Sequence, residues 1–254
     1  MLLQQTYGAL EQLSGQLSSS ALLIGFILGA VVLVKALKTK QRIIFLFFLC
    51  VIFTLSPWYP SGFGYIYWLV TDTPLPYTWY VFIGLVGIPI AILAWLDVYM
   101  TTIRPEKKKA VLLTYAIYSV IFEIYLMYFL YLAPGAPVRP LIGEFDNPNN
   151  ITDIDYRAFV LVYLASSIGL AVITGIHFSI MSMKIEEGRA LKKKGQFLLI
   201  AFILFGISAV FDAVVPMNAA LLILIRIMLM ATTFFFYVGF ILPKWMKKIL
   251  SIEE

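Results

Sequence analysis

The residues of this chain that could do chemistry are charged side chains set inside long apolar runs. Glu123, Asp212 and Arg226 are the three most deeply placed. Asp212 comes just before Pro216-Met217-Asn218, where the chain must fold back on itself, and Arg226 lies in the middle of the apolar run that follows. Charge at such positions is costly in a bilayer, and a functional or paired residue is the default reading. At 1.5 Å of rise per residue, Glu123 and Arg226 lie about 13 Å and about 12 Å from the same end of the helices. A carboxylate and a guanidinium at one depth neutralise each other through a bidentate bond, so contact between Glu123 and Arg226 is expected. Asp212, roughly 5 Å below the turn, would extend the pair into an Asp–Arg–Glu network open to the outside. Such a network holds a polar ligand, carries an ion or proton, or simply fixes helix packing. Asp97 and His177 stand near the other end of their runs. A histidine beside a carboxylate makes a pH-sensitive latch, and Asp97 with His177 is the expected pair. The plainer alternative is that both side chains end their helices in water.

Other chemistry is excluded by counting. The chain has one cysteine, Cys50, and one histidine, so neither an internal disulfide nor a Cys- or His-rich metal site can form. No metal, no cofactor and no catalytic constellation is expected; Ser-Lys and paired-Asp arrangements are missing, although Glu123 with Asp212 stays open as a carboxylate dyad. Asn150-Ile151-Thr152 is an N-glycosylation sequon, which makes Asn150 a modification candidate.

The elements that must position these groups follow from composition. Of 254 residues, 61% are hydrophobic and 13% charged, against roughly a quarter charged in soluble domains. The apolar runs are long enough to cross a bilayer. They predict an all-α integral membrane protein, one domain over 1–254, with spans at about 18–37, 41–58, 77–100, 110–132, 156–183, 195–215 and 218–242. Leu3, Tyr7, Leu10, Leu13 and Leu17 recur at helical spacing before the first span, as an interfacial helix or an outward extension. Gly25 and Gly29 form a small-xxx-small face that admits a close helix, a second copy of the chain being one candidate. The segment 61–76 is apolar but too short to span, and is expected at the headgroup level or as a lid. Pro89 should kink the third span. The segment 133–155 is expected to be the longest loop. The net charge of +5 sits between the spans, which argues against nucleic acid and for membrane orientation. The basic clusters around Lys38, Lys108, Lys193 and Lys247 all follow odd-numbered spans. The positive-inside rule then puts the N-terminus outside and the C-terminus in the cytoplasm of a cell-membrane protein. With no basic n-region or cleavage site near the start, the first span is expected to act as the insertion signal.

Span three, Gly87-Ile-Pro89-Ile-Ala-Ile-Leu-Ala-Trp95-Leu-Asp-Val-Tyr99, resembles the proline-bearing helix of the seven-helix sensory regions found at the N-terminus of some prokaryotic histidine kinases. The resemblance covers one helix and implies sensing of a ligand or of the membrane state. Three other seven-helix families fit less well: span seven has no lysine before Lys244 to hold retinal, Asp97 is followed by Val98-Tyr99 rather than Arg-Tyr, and the chain has no Pro-Gln pair. The expected function is a receptor-like sensor, not an enzyme, that signals through a separate protein docked on the basic loops; anionic lipid headgroups suit those loops as well. The alternatives are a small proton- or ion-coupled transporter, with Pro89 as hinge, and a ligand-free assembly subunit. The main pocket is expected in the outer half, between spans three to seven, with Glu123, Asp212 and Arg226 near its floor.

Overall fold

The computed structural model describes residues 7–133, 139–147, 150–185, 188–215 and 218–252, with the side chains of 139, 146–147 and 150–153 outside that set. Pro216 and Met217 of the expected turn lie outside the described residues. Among the described residues, seven helices are long and apolar enough to cross a membrane, and the chain is a multi-pass membrane protein. Lipid offers backbone amides no partner, so each run satisfies its own hydrogen bonds as a helix.

The first span is the single helix α1 (Ala9–Thr39), so Leu10, Leu13 and Leu17 of the patterned stretch continue the span, while Leu3 lies outside the described residues. The second is longer than expected. Helix α2 (Arg42–Thr54) passes through a tight 3-10 turn at Ser56–Trp58 into α3 (Tyr59–Thr71), and the span runs from Arg42 to Thr71. The residues read as a headgroup-level loop or lid are therefore mostly helix. Pro57 and Pro60 did not end the span, because proline is tolerated in the first turn of a helix, where its missing N–H has no partner to lose. The third span is α4 (Tyr77–Leu85) and α5 (Ile88–Ile103), broken at Val86-Gly87. Pro89 accounts for the break, since it cannot donate to the preceding turn. Helix α6 (Lys108–Met127) ends in a wider π-helical turn, Tyr128–Leu132.

The segment expected to be an irregular loop carries structure. After the short α7 (Arg139–Ile142), strands β1 (Gly143–Asn147) and β2 (Asn150–Tyr156) pair antiparallel, Gly143 opposite Tyr156 and Phe145 opposite Ile154. Asn150 opens β2, but its side chain is outside the described set. Phe145 meets the rings of Tyr77 and Tyr80 edge-on at 5.8 and 5.4 Å, and the Tyr77 and Tyr125 hydroxyls donate to Gly143 O and Leu141 O, both at 2.7 Å. The hairpin thus closes the end of the bundle remote from the basic clusters. Three long helices complete the chain: α8 (Ala158–Lys184), α9 (Arg189–Val214) and α10 (Ala219–Ile241), followed by the short α11 (Lys244–Ile249). The Asn218 side chain caps α10 by accepting from the Leu221 amide at 3.0 Å.

Packing follows a ring. Helix α1 packs on α2, α3 and α10; α5 on α2 and α8; α8 on α9; and α9 on α10. The fourth span stands outside the ring, with α6 against α5 and α8. The most apolar stretch of the third span is 72% buried, against 22% to 39% in the other six. It is the central helix, and the groups on it are placed by protein rather than by lipid.

Candidate functional site

Arg226 is 5% exposed. Its Nη1 donates to Asp212 Oδ1 at 2.8 Å and its Nε to Ser18 Oγ at 3.2 Å. The second carboxylate oxygen, Asp212 Oδ2, accepts from the Trp58 indole at 2.7 Å. One carboxylate therefore ties four spans together through Ser18, Trp58, Asp212 and Arg226. A charge-assisted bond of this kind is roughly twice as strong as a neutral one, and the shared partners meet the cost of burial. The guanidinium does not meet Glu123. Equal depth was a necessary condition for that pair, but the two helices stand on different sides: α6 packs on α5 and α8, whereas α10 packs on α9, α1 and α2. Glu123 Oε1 is instead buried with no hydrogen-bond partner among the described residues.

The opposite end has its own charge cluster. Asp97, 7% exposed, pairs with Arg42 and, at 2.8 Å, with Lys108, and accepts from Thr101 Oγ1 at 3.2 Å. The cluster clamps the second, third and fourth spans where the basic loops begin. His177 takes no part in it. Its Nδ1 is 3.0 Å from the Tyr99 hydroxyl. The expected Asp97–His177 latch is therefore replaced by a carboxylate held by two cations, because Asp97 points to the starts of α2 and α6 rather than to α8.

Between the two clusters lies a cavity. Counting the open space at its mouth, it holds about 610 Å³ free of atoms. Its wall comes from α2, α5, α8, α9 and α10, and is mostly apolar and aromatic, with Phe47, Trp95, Phe202, Phe205, Phe236 and Phe240. The Trp95 indole is fixed by donating to Thr174 Oγ1 at 2.8 Å. Thr233 Oγ1 donates to Leu229 O at 3.1 Å, but Thr232 Oγ1, also in the wall, is buried without a partner among the described residues. Ser56 Oγ and Ser208 Oγ, next to Leu55 and one turn from Phe205, are likewise buried and unpartnered among the described residues. Leu229 lies one turn from Arg226 and Leu55 one turn from Trp58, so the Arg226 network closes one end of this space.

The cavity differs from the expected pocket: it includes the second span and is not lined by Glu123, Asp212 or Arg226. Charge spacing does not point to this wall, but aromatic spacing does: Phe202 with Phe205 and Phe236 with Phe240 recur at one-turn intervals on neighbouring helices. Trp58 and Ser18 were also missed: the indole was read as the edge of a span when it sits inside one. The small face of α1 is taken up within the chain. A Cβ on Gly25 would meet the end of Leu55, and one on Gly29 would come within 2.6 Å of Ile52 Cδ1, so α2 occupies the surface expected to receive a second copy.

In comparisons with known proteins, no family model, no curated protein and no solved structure matches the chain. The likeness to seven-helix sensory regions rests on the third span alone.

Proposed function

We propose that the chain is a receptor-like membrane sensor that holds a small, mainly apolar molecule bearing one hydrogen-bonding group in the cavity between α2, α5, α8, α9 and α10. The observation that carries this reading is the cavity itself: an aromatic wall with the unpartnered Thr232 hydroxyl in it. Ligand sites are concave and mostly apolar, with a few polar groups that fix orientation. An unpartnered buried hydroxyl costs about 1–3 kcal/mol, which a ligand carbonyl or hydroxyl at Thr232 would offset. The charge clusters at either end give the bundle two sets of interhelical ties that an occupant could bias, since Arg226 and Trp58 each stand one turn from a wall residue.

In this proposal the basic end faces the cytoplasm and the N-terminus lies outside the cell, because the Lys and Arg clusters follow odd-numbered spans. A cytoplasmic protein partner meets the basic loops and carries the signal onward, with anionic lipid as the competing occupant. No reaction is assigned to the chain.

The test is to purify the protein, extract it with organic solvent and identify what was carried through by mass spectrometry. An apolar molecule should be recovered from the wild type and lost from Ala171→Phe, which fills the cavity. Thr232→Val keeps the shape, removes the hydroxyl and should retain less. Recovery no greater than from a control membrane protein, together with a higher melting temperature for Ala171→Phe, would mean that the space is only a packing void.

A further inference from the structure

The basic end of the bundle draws three lysines inward. Lys35 on α1, Lys194 on α9 and Lys247 on α11 are each partly buried, whereas Lys38, Lys192 and Lys248, close by on the same helices, are exposed. The end of α10 is what gathers them. Lys35 Nζ donates at 3.3 Å to Ile241 O in the last turn of α10, where carbonyls have no amide of their own helix to accept from. Helix α9 lies so close that a Cβ on Gly239 of α10 would stand 2.7 Å from Leu198 Cγ, one turn from Lys194. After α10 the chain turns at Leu242, and Met246 of α11 enters one buried cluster with Val32 of α1 and Leu198 of α9. Each lysine is thus within one turn of a member of that cluster. Lys194 stands in electrostatic range of both Lys35 and Lys247, and Lys35 in range of Lys247.

Packing alone does not explain this arrangement. Like charges brought together and partly out of water repel, and lysine is long enough to carry its ammonium group away to solvent. The negative end of α10 attracts a cation, but Lys35 already meets it. Among the described residues no carboxylate pairs with Lys35 or Lys194; Asp97, the buried carboxylate of this end, is held by Arg42 and Lys108. An anion shared by the three lysines removes the repulsion. The exposed surface beside them is apolar: Val34 and Leu37 on α1, Phe234 on α10, and Trp245 and Ile249 on α11, with the Phe234 and Trp245 rings 6.3 Å apart. A tryptophan at the end of a span marks the headgroup level, where basic pockets between spans take phospholipid head groups.

We propose that Lys35, Lys194 and Lys247 form a binding site for the phosphate group of an anionic phospholipid in the leaflet at the basic end of the bundle. The phosphate oxygens accept from the ammonium groups in charge-assisted bonds, and the acyl chains lie on the apolar surface beside Trp245. The lipid then ties α1, α9 and α11 together across the end of α10. This site does not depend on whether the cavity between α2, α5, α8, α9 and α10 is occupied.

Native mass spectrometry of the protein released from nanodiscs counts the lipid that stays on it. The nanodiscs contain phosphatidylcholine and phosphatidylglycerol in equal parts, and the wild type should retain phosphatidylglycerol in preference. Lys194→Gln with Lys247→Gln leaves the Lys35 bond to Ile241 O in place and should weaken that retention by about tenfold or more. Lys192→Gln with Lys248→Gln removes the same charge from the same two helices at exposed positions, and should retain as much as the wild type. Should the first pair not fold, as read by its melting temperature, Lys247→Gln against Lys248→Gln makes the same comparison with a smaller loss. No preference for phosphatidylglycerol in the wild type, or undiminished retention without Lys194 and Lys247, overturns the site. Equal loss in both pairs also overturns it, because the attraction is then diffuse. Added inorganic phosphate should leave the lipid in place; displacement would overturn the lipid and assign the lysines to a soluble phosphate.

Discussion

Arg226 shows how strongly one side chain's surroundings determine its worth. Removing one partner of a buried pair strands the other charge, at a cost of about 3–5 kcal/mol in soluble proteins; water entry and snorkelling make the loss smaller in a membrane. Arg226→Met and Asp212→Asn should each lower the thermal midpoint of the detergent-solubilised protein, and the double variant should lose less than their sum. Glu123→Gln combined with Arg226→Met should give a strictly additive loss, because those two groups do not meet. Coupling between Glu123 and Arg226 in that second cycle would contradict the geometry. Tyr7 offers a separate test outside the spans. It stacks on Trp68 at 4.7 Å, and burial, aided by the nearby Glu11 charge, pushes its phenol up to about 12. An ordinary tyrosine ionises near 10. The folded chain therefore holds this proton more tightly than the unfolded chain. That contribution to stability is complete below pH ~10 and lost as pH rises toward ~12. The tyrosinate absorbance of wild type minus Tyr7→Phe should show its step near the higher value; a step near 10 would refute the shielding.

Helices in this bundle meet where side chains are small, and the glycines separate close packing from open surface. At Gly195, near the start of α9, a Cβ would stand 2.9 Å from Ser179 O and 2.7 Å from Met183 Cγ on α8. Backbone cannot yield as a flexible side chain does, so Gly195→Val should cost about 1–3 kcal/mol. At Gly169 nothing lies within 4 Å of the added atom, and Gly169→Ala should be neutral or stabilising by up to about 1 kcal/mol, since alanine is the better helix former. Thermal melts of the two variants compare them directly; equal losses would mean that α8 and α9 are not packed as described. The existence of each span was legible because twenty apolar residues in a row have few other fates. The length of the second span was not, since Pro57 and Pro60 read as a stop and proved compatible with a helix that restarts at Tyr59. The hairpin was hidden by its composition: polar residues with proline and asparagine resemble a loop until Phe145 finds the tyrosines of α4.

Taken whole, the molecule has a charge tie at each end and an aromatic cavity between them. Rise per residue sets only an expected level for each buried charge and says nothing of the angular position of the helices around the ring, and angle decided the partners: Asp212 for Arg226, Arg42 and Lys108 for Asp97, Tyr99 for His177. The orientation proposed above is tested by a fluorescent protein that matures only in the cytoplasm, fused after Glu254. Signal is expected, and a dark fusion in a correctly inserted protein would sink the assignment. The third span, buried over 72% of its most apolar stretch, leads to a point about the order of assembly. A membrane helix enters the bilayer before its neighbours surround it, so this one must first be stable in lipid that it scarcely touches afterwards. Its apolar residues serve a transient state, and its remaining groups serve the finished one: Asp97 acquires both cations only when the second and fourth spans stand beside it. A substitution there could leave the mature contacts sound and still prevent the helix from entering the membrane.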